Sequence, residues 1–162
     1  MTGNNSSASS DRLIRLTATA LGSGNLPAAP GTWGSAAAVL LFLPLLGLPE
    51  AMFIRLGAAL LAIFSFLICG WISPSCERIY GTRDPKQFVA DELSGQFLVL
   101  VCLPVYNAAW IAAGFAVFRF FDILKPFPIR RLEKLNTRWD IVLDDIAAGV
   151  YGALVLTVLH PL

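Results

Sequence analysis

Two acidic pairs stand directly before apolar sequence in this 162-residue chain. Asp91-Glu92 precedes Leu93-Ser94-Gly95, and Asp144-Asp145 precedes Ile146-Ala147-Ala148-Gly149. Carboxylates beside apolar spans are costly and usually functional. One acid at a helix start satisfies the helix dipole, whereas adjacent acids repel unless a cation lies between them. Hard cations take oxygen ligands, and magnesium typically binds one or two carboxylates together with phosphate and water. The two pairs, with Asp84 and Asp122, therefore form a candidate magnesium cage of Asp84, Asp91, Glu92, Asp122, Asp144 and Asp145. Asp84 and Asp140 also suit helix N-caps, an alternative role for both. In each pair a glycine follows an acid by one helical turn (Asp91/Gly95, Asp145/Gly149), a spacing that lets a second backbone come close to the acid.

Arg119, Asp122 and Lys125 recur every three residues, on one arc of a helix entered through the apolar run Phe115 to Phe121. Arg119 and Lys125 are candidates to hold phosphate oxygens, and Asp122 to bind metal or act as a base. A surface ion-pair ladder is the plainer reading of the same spacing. The stretch Gly22 to Ser35 holds four glycines and two prolines, inside a run without charge from Leu16 to Pro49. It reads as an irregular loop whose free N–H groups could meet an anion, with Ser23, Gly24, Gly31 and Thr32 as candidate phosphate or head-group contacts. It lacks the Gly-Lys-Ser/Thr of a phosphate-binding P-loop.

Other phosphate chemistries are excluded by residue type. A cysteine nucleophile would want a phosphate-cradling arginine six residues on, where Cys69 has Ser75 and Cys76 has Thr82. His160, the single histidine, sits near the end, and no Asp-x-Asp pair occurs. Water attack or carboxylate-assisted transfer at a metal remains, with Asp91, Glu92, Asp122, Lys125 and Asp145 as candidate catalytic groups.

The elements that would position these residues belong to a membrane protein. The chain is 56% hydrophobic and 14% charged, against about 25% charged in soluble domains. Mean hydropathy is +0.68. A net charge of +1 and the absence of a basic strip with interleaved aromatics argue against nucleic-acid binding. Cys69, Cys76 and Cys102 have no zinc or disulfide spacing.

Residues 1–10 read as a polar, disordered tail without signal-peptide character, and 11–162 as one membrane-embedded domain. Within it, 11–21 suits an interfacial helix, and Ser35 is the expected cap of a helix over 36–48 kinked at Pro44. Glu50 and Arg55 mark a turn, and Leu56 to Cys76 is long enough to cross a bilayer. A polar connector over 77–86 follows, with Asp84-Pro85-Lys86-Gln87 as a capped helix start. Leu93 to Phe118 is uncharged but interrupted at Pro104 to Asn107. The last apolar helix covers 146–162, with Asp140 upstream as its cap. Basic residues at 12 and 15, at 78, 83 and 86, and at six positions from 119 to 138 belong on the cytoplasmic side. That holds if 93–118 folds back as a re-entrant hairpin. The expected fold is a small all-α polytopic membrane bundle with a Gly/Pro-rich re-entrant loop and a re-entrant helical hairpin.

Four pieces together resemble bacterial phosphatidylglycerophosphatase A: Gly22 to Ser35; Asp84 with Val89 to Gly95; Phe118 to Arg130; and Asp144 to Gly149. They run in family order and cover nearly all of the chain after the tail. The resemblance implies a magnesium-dependent lipid phosphatase of the bacterial inner membrane, its active face cytoplasmic. It would convert phosphatidylglycerophosphate to phosphatidylglycerol, with phospholipid substrate and membrane lipid as partners. One departure is local: Asn136-Thr137-Arg138-Trp139-Asp140 stands where the family usually has glycine-rich sequence. Two alternatives remain. A lipid head-group phosphotransferase would want the Asp-x-x-Asp-Gly signature, which is absent, and a non-catalytic membrane scaffold would carry a degenerate site. The sequence specifies no oligomeric state.

Overall fold

The computed structural model describes residues 3–82, 84–135 and 137–160. Met1, Thr2, Arg83, Asn136, Pro161 and Leu162, each within a segment read above, lie outside the described residues. Those described contain seven α-helices and no strand: α1 (Gly3–Ala18), α2 (Pro30–Phe42), α3 (Ala51–Tyr80), α4 (Ala90–Val101), α5 (Ala108–Leu124), α6 (Ile129–Leu132) and α7 (Asp140–Leu159). The all-helical bundle expected from the apolar runs is present. Among the described residues, three segments are long and apolar enough to cross a membrane: Pro30–Gly47, Ala51–Tyr80 and Asp140–Leu159. Outward-facing Leu40, Leu60, Phe64, Trp71, Ile123 and Leu154 are exposed, giving the bundle a lipid-compatible surface.

Several local expectations are corrected. α1 begins at Gly3, so the helix reaches into the stretch read as a disordered tail. The irregular part of the Gly/Pro-rich segment ends at Ala29, because Pro30 occupies the first helical position, where its fixed φ suits the helix and its missing N–H costs nothing. Ser35 is therefore not a cap. It lies inside α2, its hydroxyl donating to the Gly31 carbonyl at 2.9 Å. Past Phe42 the chain tightens at Pro44 into a 3-10 turn over Leu43–Gly47. Arg55 marks no turn; it lies within α3, and Glu77 to Tyr80 of the supposed connector is helical too.

Asp84-Pro85-Lys86-Gln87 is a turn closed by Phe88 N–H donating to the Pro85 carbonyl at 2.8 Å, and the next helix starts only at Ala90. Tertiary contacts override the capping pattern here. Val89 N–H is committed to the Ala18 carbonyl at 2.8 Å, and Gly24 packs against the Gln87 carbonyl and Val89. The expected break at Pro104 to Asn107 is present, with the Asn107 side chain accepting from Trp110 N–H to cap α5. The tip of this α4–α5 hairpin lies beside the start of α3, where Arg55 donates to the Leu103 carbonyl at 3.4 Å. α7 begins at Asp140 with Trp139 as its N-cap residue, so Asp140 is the first helical residue and not the cap.

α4, only 12 residues and about 18 Å long, is the hub. It packs against α2, α3, α5 and α7. Its contact with α7 is made by glycines. A Cβ on Gly149 would stand 2.7 Å from the Gly95 carbonyl oxygen, and one on Gly95 would overlap the Asp145 carbonyl and the Phe118 ring. Without a hydrophobic drive between helices in lipid, small residues allow the close backbone approach that holds them together. Gly149→Ala is therefore expected to force α4 and α7 apart, lowering stability in detergent by about 1–3 kcal/mol as overpacking does. Gly47→Ala, with nothing within 4 Å of the added carbon, is the matched control. Equal thermal denaturation midpoints for the two variants would refute the glycine contact as a structural constraint.

Candidate active site

Three helix N-termini meet at one cavity. Pro30 opens α2, Asp91 and Glu92 lie in the first turn of α4, and Asp140 to Asp145 form the first turns of α7. Pro30, Asp91, Glu92, Asp140, Ile141, Asp144 and Asp145 line the same space of ≈ 730 Å³. The positive ends of three helix dipoles therefore point at a common centre, which favours carboxylates and bound phosphate alike.

Asp91, Glu92 and Asp145 form the core. Each offers a carboxylate oxygen within 4.8 Å of the others. Asp91 and Asp145 are buried, at 7% and 3% exposure. The Gly95–Gly149 contact puts them together, since each acid lies one turn above its glycine. Asp91 accepts from Glu92 N–H at 3.0 Å. Glu92 Oε2 and Asp145 Oδ1 are buried without a hydrogen-bond partner. Unpartnered oxygens on clustered, buried carboxylates are costly, and a cation among them removes both the repulsion and the unmet acceptors. The donor set is all oxygen, as a hard divalent cation requires. These three residues could hold a metal ion.

The other expected site residues take distinct places around this core. Asp122 lines the cavity and pairs with Arg119 at 2.5 Å. Arg119 Nε has no hydrogen-bond partner. Lys125 leaves the Arg119/Asp122 arc, because it adopts a left-handed conformation (φ 44, ψ 61) that ends α5. Its ammonium bridges Asp144 at 2.7 Å and Glu133 at 2.5 Å. Burial works against that ammonium, but the two carboxylates outweigh burial and raise its pKa above the usual lysine value. Asp144 is thus tied to Lys125, outside the three-carboxylate group. Asp84 is on the cavity wall, and burial raises its carboxyl above the ordinary value against the pull of Lys125.

The Gly/Pro-rich segment contributes differently from the expectation. Gly31 abuts the core: a Cβ there would overlap Glu92 Oε1 and stand 2.9 Å from an Arg119 terminal nitrogen. Its missing side chain lets the acid and the guanidinium reach the N-terminus of α2. Ser23, Gly24 and Thr32 are not on the cavity wall. The Ser23 hydroxyl donates to the Thr19 carbonyl at 3.1 Å, and Gly24 serves the contact with Gln87 and Val89.

Glu133 and Lys134 line the cavity and were not singled out from the sequence. They sit in a mixed-charge stretch with no periodicity, so no pattern marked them. The bulky 137–140 stretch has a packing role. Trp139 stacks on Phe66, with ring centroids 4.9 Å apart, and fills the space above Gly70 where any Cβ would collide with its ring. This wedge fixes the chain entering α7 against α3.

The family model described as phosphatidylglycerophosphatase A matches residues 16–160. A phosphatidylglycerophosphatase A of Haemophilus influenzae is 42% identical over 147 residues, covering 88% of this chain and 86% of that protein. The Escherichia coli protein of the same name is 34% identical over 142 residues, covering 87% and 80%. A Bacteroides thetaiotaomicron protein with the provisional name phosphatidylinositol-3-phosphatase is 35% identical over 147 residues, covering 88% and 91%. No solved structure matches the chain. The chain belongs to the phosphatidylglycerophosphatase A family, and so to the phosphatases that act on a phosphate monoester.

Proposed function

We propose that this protein is a magnesium-dependent phosphatidylglycerophosphatase, which removes the terminal phosphate of phosphatidylglycerophosphate to leave phosphatidylglycerol. The observation that carries the reading is the group Asp91, Glu92 and Asp145, with unmet carboxylate oxygens, in a cavity that also presents Lys125. Magnesium bound by the three carboxylates would supply charge neutralisation to the phosphoryl oxygens. Lys125 adds a positive charge on the cavity wall, oriented by Asp144 and Glu133. Arg119, held by Asp122, is the second cation at this end of α5. Asp122, on the cavity wall, is a candidate to orient the attacking water.

Membrane placement follows from charge. Lys86, Lys125 and Lys134 line the acidic cavity, Arg15 lies over the Tyr80 ring and Arg78 pairs with Asp11 at the far end of α3, whereas Arg55 lies at the hairpin tip. The positive-inside rule then orients the mouth to the cytoplasm, in the bacterial inner membrane.

Asp91→Asn and Asp145→Asn are each expected to lower phosphate release from phosphatidylglycerophosphate by roughly 10²-fold or more, as loss of a preorganised charge contact does. Glu77→Gln, exposed near the end of α3, should leave the rate unchanged. Wild-type rates retained by both acid variants would remove Asp91 and Asp145 from the catalytic centre. Chelation of divalent ions should abolish turnover and added magnesium restore it. Turnover indifferent to chelator would remove the metal from the proposal.

A further inference from the structure

Beside the acidic cavity, and sharing Lys125 with it, lies a second hollow of ≈ 550 Å³ bounded by the 124–128 turn, Arg130 and Arg131. Its polar character is opposite to that of the first, because its charged walls are cationic. Arg131 lies over the Phe127 ring, 4.7 Å from the centroid, and Arg130 donates to the Leu124 carbonyl at 3.4 Å. Both arginines are exposed, so most of their donors face outward.

The turn that presents them is anchored on both sides. Ile129 is fully buried, and the Tyr151 hydroxyl donates to the Phe127 carbonyl at 3.0 Å. The rim is apolar: Ile123, Leu124 and Phe127 are exposed at 71%, 50% and 69%. Large apolar side chains next to outward-facing arginines are the pattern of a bilayer interface, where the carbon surface meets acyl chains and guanidinium meets phosphate. Guanidinium forks bind phosphate oxygens bidentately.

We propose that Arg130 and Arg131 form a second phosphate subsite, which holds the phosphodiester of a lipid whose terminal phosphomonoester lies in the acidic cavity. This rests on the lipid phosphatase reading above. The chemical class follows: a substrate with two phosphates, one diester joining head group to diacylglycerol and one terminal monoester. Phosphatidic acid, with a monoester alone, would leave the arginines unused. Lys125, on the wall of both hollows, marks the boundary between the two phosphates.

The same arginines could instead hold an anionic phospholipid of the surrounding bilayer, and the test separates these sources. Phosphatidylglycerol carries the diester without the monoester. Its binding to full-length protein would be measured in non-ionic detergent micelles, together with phosphate release from phosphatidylglycerophosphate and phosphatidic acid. In Arg130→Gln/Arg131→Gln, phosphatidylglycerol binding is expected to weaken roughly tenfold, as loss of charge-assisted contacts does. KM for phosphatidylglycerophosphate should rise by a similar factor with kcat preserved, and any rate on phosphatidic acid should be unchanged. Unchanged phosphatidylglycerol binding would overturn the subsite, as would an equal fall on both substrates. A defect seen only in anionic vesicles, and not in neutral micelles, would also overturn it and assign the arginines to the bilayer. Lost diester binding in a protein whose wild type releases no phosphate would keep the subsite and overturn the phosphatase reading instead.

Discussion

The backbone contact between α4 and α7 is the constraint on which the site depends. Gly95 and Gly149 meet so closely that neither position has room for a Cβ. Each glycine lies one turn below an acid, so the crossing that joins the glycines also joins Asp91 to Asp145. The contact is made of carbonyls and α-carbons, which have little freedom to adjust, and it therefore sets the spacing of the acids more firmly than side-chain packing could. Fold stability and carboxylate geometry are here one interaction.

That geometry sets an electrostatic problem whose solution is the chemistry. Three carboxylates within 4.8 Å repel one another, and burial strengthens the repulsion. The N-termini of α2, α4 and α7 relieve it in part, with Gly31 allowing Glu92 to reach the start of α2. The unpartnered oxygens of Glu92 and Asp145 show what the helix dipoles leave unmet. The three carboxylates could hold a cation, and Lys125 lies on the same cavity wall. Around this core Arg119 is paired with Asp122, and Lys125 bridges Asp144 and Glu133. The unpartnered oxygens of Glu92 and Asp145 set this group apart from the ion-paired residues around it.

The stretch before α7 shows how a bulky side chain is absorbed by packing. Trp139 needs space, and Gly70 on α3 supplies it, with Phe66 as the stacking partner. The wedge steadies the 137–140 segment and so the entry of Asp140 to the cavity. An aromatic ring at this place acts as an anchor between α3 and α7, next to the charged wall that Glu133 and Lys134 provide.

By itself the sequence determined the class of the protein and the identity of its acids. Apolar runs of span length require helices in a bilayer, since backbone polar groups have no water to turn to. Acidic pairs at the edges of such runs require a function or a partner. Asp91, Glu92, Asp144 and Asp145 were legible on those grounds and Asp122 from its three-residue spacing with Arg119 and Lys125; these five and Asp84 line one cavity. The break at Pro104 to Asn107 was legible too, because a proline and a capping asparagine act through local chemistry. Only the tertiary structure decided which acids form the core and which are paired, because that depends on the α4–α7 crossing and on the left-handed turn at Lys125. It also decided that Ser35 lies within a helix and that Asp84-Pro85 opens a turn. At those positions contacts with residues far away in the chain outweigh the local signals, and no spacing within a short stretch records them.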